Sequence, residues 1–276
     1  MGRIGEKFRQ LREKGEKALV AYIVAGDPSL EITREIILGF KDAGVDIIEL
    51  GVPFSDPTAD GPVIQVASGR ALEQGTDLIS ILDMVESVNK SADIPIVLFG
   101  YYNPIFAYGN KRFAQRARVA GVDGILVVDL PPEESRELRK YTDQAGIDFI
   151  SLLAPTTSSE RIRKISEEAT GFLYYVSVTG VTGTKKPRVS DIRDEMKRVR
   201  SITGMPVVVG FGISTPGQAG EIAPYADGIV VGSAFVHMIE EHAGDSNMVN
   251  IVSDYAKEIK TAIEAPRNKL WGISDC

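Results

Sequence analysis

The chain has 276 residues, 43% apolar and 25% charged, the balance of an ordinary soluble globular protein. Acidic residues outnumber basic ones 38 to 31, for a net charge of −7, which argues against the concentrated basic surface that nucleic-acid binding needs. The single cysteine, Cys276, is the last residue and there are two histidines, His237 and His242, so internal disulfides, thiolate clusters and multi-histidine metal sites are disfavoured. The N-terminus carries no secretory apolar region, and the longest apolar run, 18–25, is too short to span a bilayer. The expectation is a cytoplasmic protein without membrane attachment.

Taken in chain order, Ile4, Phe8 and Leu11 recur at helical spacing between charges and predict an amphipathic helix. Short, nearly continuous apolar runs predict strands at about 19–24, 45–50, 95–100, 123–128, 147–153, 172–177, 206–210 and 228–232. Helical segments fall between and after them, at 29–43, 76–90, 110–119, 132–144, 158–169, 188–201, 215–224 and 246–264. One local pattern recurs: Ala43-Gly44-Val45-Asp46, Ala120-Gly121-Val122-Asp123 and Ala145-Gly146-Ile147-Asp148, with a looser Ala226-Asp227-Gly228. Each copy reads as a helix end, a glycine suited to the left-handed conformation, and a strand.

Strands buried on both faces and alternating with helices mean a parallel sheet. Eight such units predict a (β/α)₈ TIM barrel forming one domain over residues 1–276, with the extra N-terminal helix plugging its lower mouth. A doubly wound sheet is the alternative, but the turn after the first strand reads Ala25-Gly26-Asp27-Pro28 and lacks its glycine fingerprint.

In a barrel the chemistry sits at the C-terminal strand ends. Glu49 interrupts the apolar second strand, sharing a face with Ile47, and because burial without a partner is costly it is expected to face the barrel mouth. A carboxyl in that setting has a raised pKa and suits proton transfer near neutrality. The loop that follows holds Asp56 and Asp60 among prolines and glycines, where each is also an ordinary turn residue. Glycine-rich turns follow strands six, seven and eight, at Thr179–Thr184, Gly210–Ser214 and Gly232–Phe235. They are suited to cradling a phosphate, the last at a helix start. Lys185 and Lys186 lie in a loop rather than on a strand, a poor setting for a Schiff-base lysine. On residues alone, a sugar-phosphate isomerase or epimerase type of barrel and a non-catalytic regulatory barrel remain open.

The motifs Gly26-Asp27-Pro28, Glu49-Leu50-Gly51-Val52-Pro53-Phe54-Ser55-Asp56-Pro57-Thr58-Ala59-Asp60-Gly61-Pro62, Tyr102-Asn103-Pro104, Asp129-Leu130-Pro131, Leu153-Ala154-Pro155-Thr156-Thr157, Gly180-Val181-Thr182-Gly183 and Gly210-Phe211-Gly212-Ile213 resemble the tryptophan synthase alpha subunit family over essentially the whole chain. The resemblance implies retro-aldol cleavage of indole-3-glycerol phosphate to indole and glyceraldehyde 3-phosphate, with neither metal nor coenzyme in this chain. It implies Glu49 and Asp60 as the catalytic carboxyls, and Tyr22, Phe99, Tyr174 and Thr182 beside the substrate. Gly183, Gly212, Gly232 and Ser233 would hold the phosphate. It also implies docking in an α₂β₂ complex on a beta subunit that carries pyridoxal phosphate, through the face bearing Asp56, Asn103 and Phe106. The segment 103–106 is read as a loop with Ile105 and Phe106 on the surface, and Thr179–Arg188 as a lid that closes Thr182 onto Asp60. Tyr22, Phe99 and Thr58 depart from the family pattern, which has Phe, Leu and a large apolar residue there.

Overall fold

The computed structural model describes residues 2–176, 189–210 and 212–264. Its strands are β1 (Ala18–Val24), β2 (Ile47–Gly51), β3 (Ile96–Gly100), β4 (Gly124–Val127), β5 (Asp148–Phe149), β6 (Ser151–Leu153), β7 (Leu173–Val176), β8 (Val207–Gly210) and β9 (Gly228–Val231). They form one sheet in the order β5-β4-β3-β2-β1-β9-β8-β7-β6, with every pairing parallel. The two ends of that order are halves of a single stave, interrupted only at Ile150, whose N–H still donates to the Ile125 carbonyl at 2.9 Å. The sheet therefore closes into the expected (β/α)₈ barrel, and the strand expected over 147–153 is present in two pieces.

The helices are α1 (Arg3–Lys14), α2 (Leu30–Asp42), α3 (Pro62–Glu73), α4 (Leu78–Asn89), α5 (Tyr102–Tyr108), α6 (Asn110–Ala120), α7 (Arg136–Ala145), α8 (Ser159–Glu168), α9 (Val189–Arg200), α10 (Pro216–Ile222), α11 (Ser233–Glu241) and α12 (Met248–Glu264). None is long and apolar enough to cross a membrane. Two of them correct the sequence reading. The chain forms α3 where a long loop was expected, because the helix buries only the small residues Ala67, Ser68 and Ala71 and so leaves a weak apolar stripe. The segment 103–106 lies in α5 rather than in a loop, with Ile105 buried and Phe106 60% exposed.

Strand alternation separates two cores. Along β1, Leu19, Ala21 and Ile23 face the helices, while Ala18, Val20, Tyr22 and Val24 face the barrel axis. The inner set also contains Ile47, Val97, Leu126, Ile150, Phe172, Tyr174, Val208 and Val230. Ile4, Phe8 and Leu11 of α1 join it from below, Phe8 meeting Phe172 at 5.7 Å between ring centroids. That is the expected plug.

The recurrent Ala-Gly-Val/Ile-Asp pattern has a second role that the sequence reading did not assign. Gly121 and Gly146 end α6 and α7 in the left-handed conformation, φ 84° and 69°, as the motif requires. Three of the four aspartates then tie neighbouring strands together at their starts. Asp46 accepts the N–H of Leu19, Asp123 that of Ile96 and Asp227 that of Val207, each at 2.9 Å. The repeat thus stops a helix and sets strand register within a few residues.

Candidate active site

Glu49 occupies the middle of β2, in register with Tyr22 of β1 and Val97 of β3. It points into the barrel, is fully buried, and neither carboxyl oxygen has a hydrogen-bond partner among the described residues. Burial pushes its pKa from 4.5 up to about 8, because a carboxylate without donors loses its hydration and gains nothing in return. The sequence reading placed Glu49 facing the barrel mouth; the structure puts it inside the upper barrel, closed off from solvent.

Two inner-face tyrosines border it. Tyr22 and Tyr174 are both buried, and burial, together with the nearby Glu49 charge, holds each phenol well above its usual range. Phe99, half-buried at the end of β3, meets Tyr22 edge-on, with centroids 5.2 Å apart and planes at 78°. Gly51 and Gly210, the last residues of β2 and β8, leave the space into which the hydroxyls of Tyr22 and Tyr174 project.

Asp60 reaches the same region from a turn beyond β2. The N–H of Thr58 donates to the Asp56 carbonyl at 2.9 Å and that of Asp60 to the Pro57 carbonyl at 3.2 Å. The chain then turns through Gly61 into α3, where Pro62 takes the first helical position. The Asp60 side chain is 8% exposed and accepts a hydrogen bond from the Tyr101 hydroxyl at 3.1 Å. Burial raises its pKa and the Tyr101 bond lowers it. Tyr101 is the residue that sequence reasoning missed. Its only signal was its place, directly after a strand end on the catalytic face.

The glycine turns also lie at this end. Gly212 follows β8 with φ 75°, a conformation open to few other residues. Gly232 precedes α11, and a Cβ there would lie 3.3 Å from the Tyr22 Cβ. Ser233 opens that helix, whose N-terminus has no side-chain cap among the described residues. Free N–H groups and the helix dipole favour an anion at that position. Thr182 and Gly183, and the whole expected lid Thr179–Arg188 with its two lysines, lie outside the described residues.

The three rim residues stay outside the cavity. Asp56 is exposed, and its carboxylate accepts the Ser55 hydroxyl at 2.7 Å. Asn103 and Phe106 are exposed on α5. Tyr22, Glu49, Asp60, Phe99, Tyr174 and Gly232 therefore converge, whereas Asp56, Asn103 and Phe106 form part of the surrounding surface.

A closed parallel barrel with a buried carboxyl inside it, on the second strand and without a partner among the described residues, defines the class of (β/α)₈ barrel enzymes. The chain belongs to the tryptophan synthase alpha chain family, whose model matches residues 8–264. The tryptophan synthase alpha chain of Geobacter sp. (strain M21) is 54% identical over 244 residues, 88% of this chain and 91% of that one. The alpha chain of Geobacter sulfurreducens is 48% identical over 270 residues, 98% of this chain and 99% of that one. Among solved structures, tryptophan synthase subunit alpha from Legionella pneumophila superposes with a TM-score of 0.89 at 37% identity, covering 95% of this chain and 98% of that one. Tryptophan synthase from M. tuberculosis in its aminoacrylate-bound form gives 0.85 at 31% identity, covering 95% of this chain and all of the matched one.

Proposed function

We propose that Glu49 and Asp60 are the two groups through which this chain performs the alpha reaction of tryptophan biosynthesis. As a member of the family it is a carbon–carbon lyase, cleaving indole-3-glycerol phosphate to indole and glyceraldehyde 3-phosphate. Cleavage needs a proton placed on the indole ring carbon that leaves, a proton removed from the adjacent hydroxyl, and relief of the positive charge that develops at the ring nitrogen. With a pKa near 8, Glu49 starts protonated and gives its proton to the ring carbon. The resulting carboxylate takes the hydroxyl proton as the carbon–carbon bond breaks and the bonding electrons return to the ring. The two transfers leave Glu49 as it began. Asp60, ionised, accepts the ring N–H and holds the charge.

In this reading Tyr22, Phe99, Tyr174 and Thr182 bound the indole, and Gly183, Gly212, Gly232 and Ser233 take the phosphate. The chemistry is proton transfer by the chain's own side chains, with pyridoxal phosphate confined to a beta partner. That partner docks at Asp56, Asn103 and Phe106 in an α₂β₂ assembly. The whole chain, 1–276, acts as one cytoplasmic domain.

The observation that carries the reading is the fully buried Glu49 with both oxygens unpartnered among the described residues, an arrangement that costs stability and suits proton transfer. The experiment is an assay of indole release from indole-3-glycerol phosphate, with and without a beta subunit. Release is expected in both, faster with beta; no release in either would overturn the reading.

A further inference from the structure

Tyr101 stands between β3 and α5 and belongs to neither. Its ring packs on Phe54, with centroids 5.1 Å apart and planes at 33°. Its hydroxyl joins two consecutive residues of the loop beyond β2, accepting the Ala59 N–H at 2.9 Å and donating to Asp60 Oδ2 at 3.1 Å. An oxygen that accepts an N–H is a stronger donor through its own proton, because the two bonds polarise each other. The ring contact and the Ala59 bond fix where that proton points.

We infer that Tyr101 is a positioning residue for Asp60, holding the carboxylate in one rotamer through Oδ2 and leaving Oδ1 to meet the substrate. The inference rests on the role given to Asp60 above. A hydrogen bond donated to a carboxylate favours its ionised form, and burial works in the opposite direction; both act on Asp60. An Asp60 that took up a proton could no longer accept the ring N–H or offset positive charge. The Tyr101 hydroxyl therefore serves aim and charge together, without touching the reacting atoms.

The test is Tyr101→Phe, which keeps the ring on Phe54 and deletes only the hydroxyl. A hydrogen bond to a charged group corresponds to roughly 10–100-fold in rate. The expected result is a fall in kcat of that order with a smaller change in KM, while circular dichroism and Tm stay as in the wild type. The acidic limb of the kcat profile is expected to move to higher pH, as Asp60 protonates earlier; a merely structural tyrosine would not move it. A carboxyl-selective ¹³C titration of Asp60 in the same variant is expected to show the same upward shift without reference to turnover. In an Asp60→Asn background, Tyr101→Phe is expected to cause no further loss. Inactive Asp60→Asn beside a Tyr101→Phe variant with wild-type kcat and acidic limb would overturn the inference alone. Wild-type turnover by Asp60→Asn would overturn the role of Asp60 and the inference with it.

Discussion

The Tyr22 hydroxyl occupies the place where a side chain on Gly51 would begin: a Cβ built on Gly51 falls 2.5 Å from that oxygen. The relationship recurs across the barrel, where a Cβ on Gly210 would fall 2.3 Å from the Tyr174 hydroxyl. In each pair a strand ends in glycine, and an inner-face tyrosine of the neighbouring strand uses the space. The tyrosines flanking Glu49 are thus seated by residues that have no side chain.

Gly51→Ala is therefore expected to displace the Tyr22 ring, destabilise the fold by about 1–3 kcal/mol and lower turnover. Adding Tyr22→Phe removes the nearest clashing atom and is expected to recover part of both losses. Chemical denaturation and indole release on the two variants and the double variant check it. Purely additive effects would show that the contact is not the cause.

Glu49→Gln keeps shape and removes the transferable proton, so indole release is expected to fall roughly 10²–10⁴-fold. Wild-type kcat is expected to decline above about pH 8 as Glu49 loses its proton. Stability has its own signature. The unfolded chain releases this proton near 4.5 and the folded one near 8, so between those values the folded state holds more protons and rising pH drains stability. The contribution is fully present below the lower value and lost above the upper one, several kcal/mol in all. Glu49→Gln is expected to flatten the stability profile over that window; an unchanged slope by denaturation at several pH values would count against a protonated Glu49.

The barrel was legible because its signals are local. Apolar runs gave the strands, and the Ala-Gly-Val/Ile-Asp repeat marked where helices stop. Glu49 was legible because a carboxyl among Ile47, Ile48 and Leu50 contradicts its surroundings. The missed features depend on what folds against them. The small residues that α3 buries make no apolar stripe, and the short α5 hides one large residue, Ile105. Tyr101 carries no motif, and its importance exists only once Ala59 and Asp60 fold over its hydroxyl. The split of the fifth stave turns on the single residue Ile150, finer than any hydrophobic pattern resolves.

The anion position proposed at the start of α11 predicts a particular kinetic phenotype. A Cβ on Gly232 would lie 3.3 Å from Tyr22, so Gly232→Val crowds that ring and displaces the backbone that leads into α11. KM for indole-3-glycerol phosphate is expected to rise by an order of magnitude or more, with kcat changed much less. Inorganic phosphate is expected to inhibit the wild type competitively and the variant weakly. Equal inhibition of both would place the phosphate elsewhere.

Arg70 of α3 clasps the mouth from outside. Its guanidinium makes paired bonds to Asp27, in the turn after β1, at 2.8 Å each, and a third to Glu240 of α11 at 2.7 Å. Asp27 is only 3% exposed, so Arg70→Leu strands a buried carboxylate. A loss of about 1.5–3 kcal/mol is expected, seen as a Tm several degrees lower. An unchanged Tm would mean that water replaces the guanidinium without penalty.

Phe106 tests the partner face. It is 60% exposed on α5, near the half-buried Tyr102, their rings 5.7 Å apart, while Ile105 anchors the helix to the core. An exposed aromatic held on a short, anchored helix suits a role as a binding anchor, since little side-chain freedom is lost on docking. Phe106→Ala is expected to leave the isolated chain's Tm and basal indole release nearly unchanged, because the ring is mostly exposed and meets the Tyr102 ring at the surface. Affinity for a beta subunit is expected to fall about tenfold or more, with a corresponding rise in the beta concentration needed to stimulate indole release. Asp56→Ala separates docking from signalling. Among the described residues its carboxylate holds only the Ser55 hydroxyl, and the turn's own bond runs through the Asp56 backbone, so the loop is expected to keep its shape. Beta is expected to bind this variant yet stimulate it less than the wild type. Titrations of both variants with beta, read as bound fraction and as indole release, check the two expectations. Full stimulation of Asp56→Ala at saturating beta would leave that carboxylate with no part in the coupling, and unchanged affinity for Phe106→Ala would move the interface off α5.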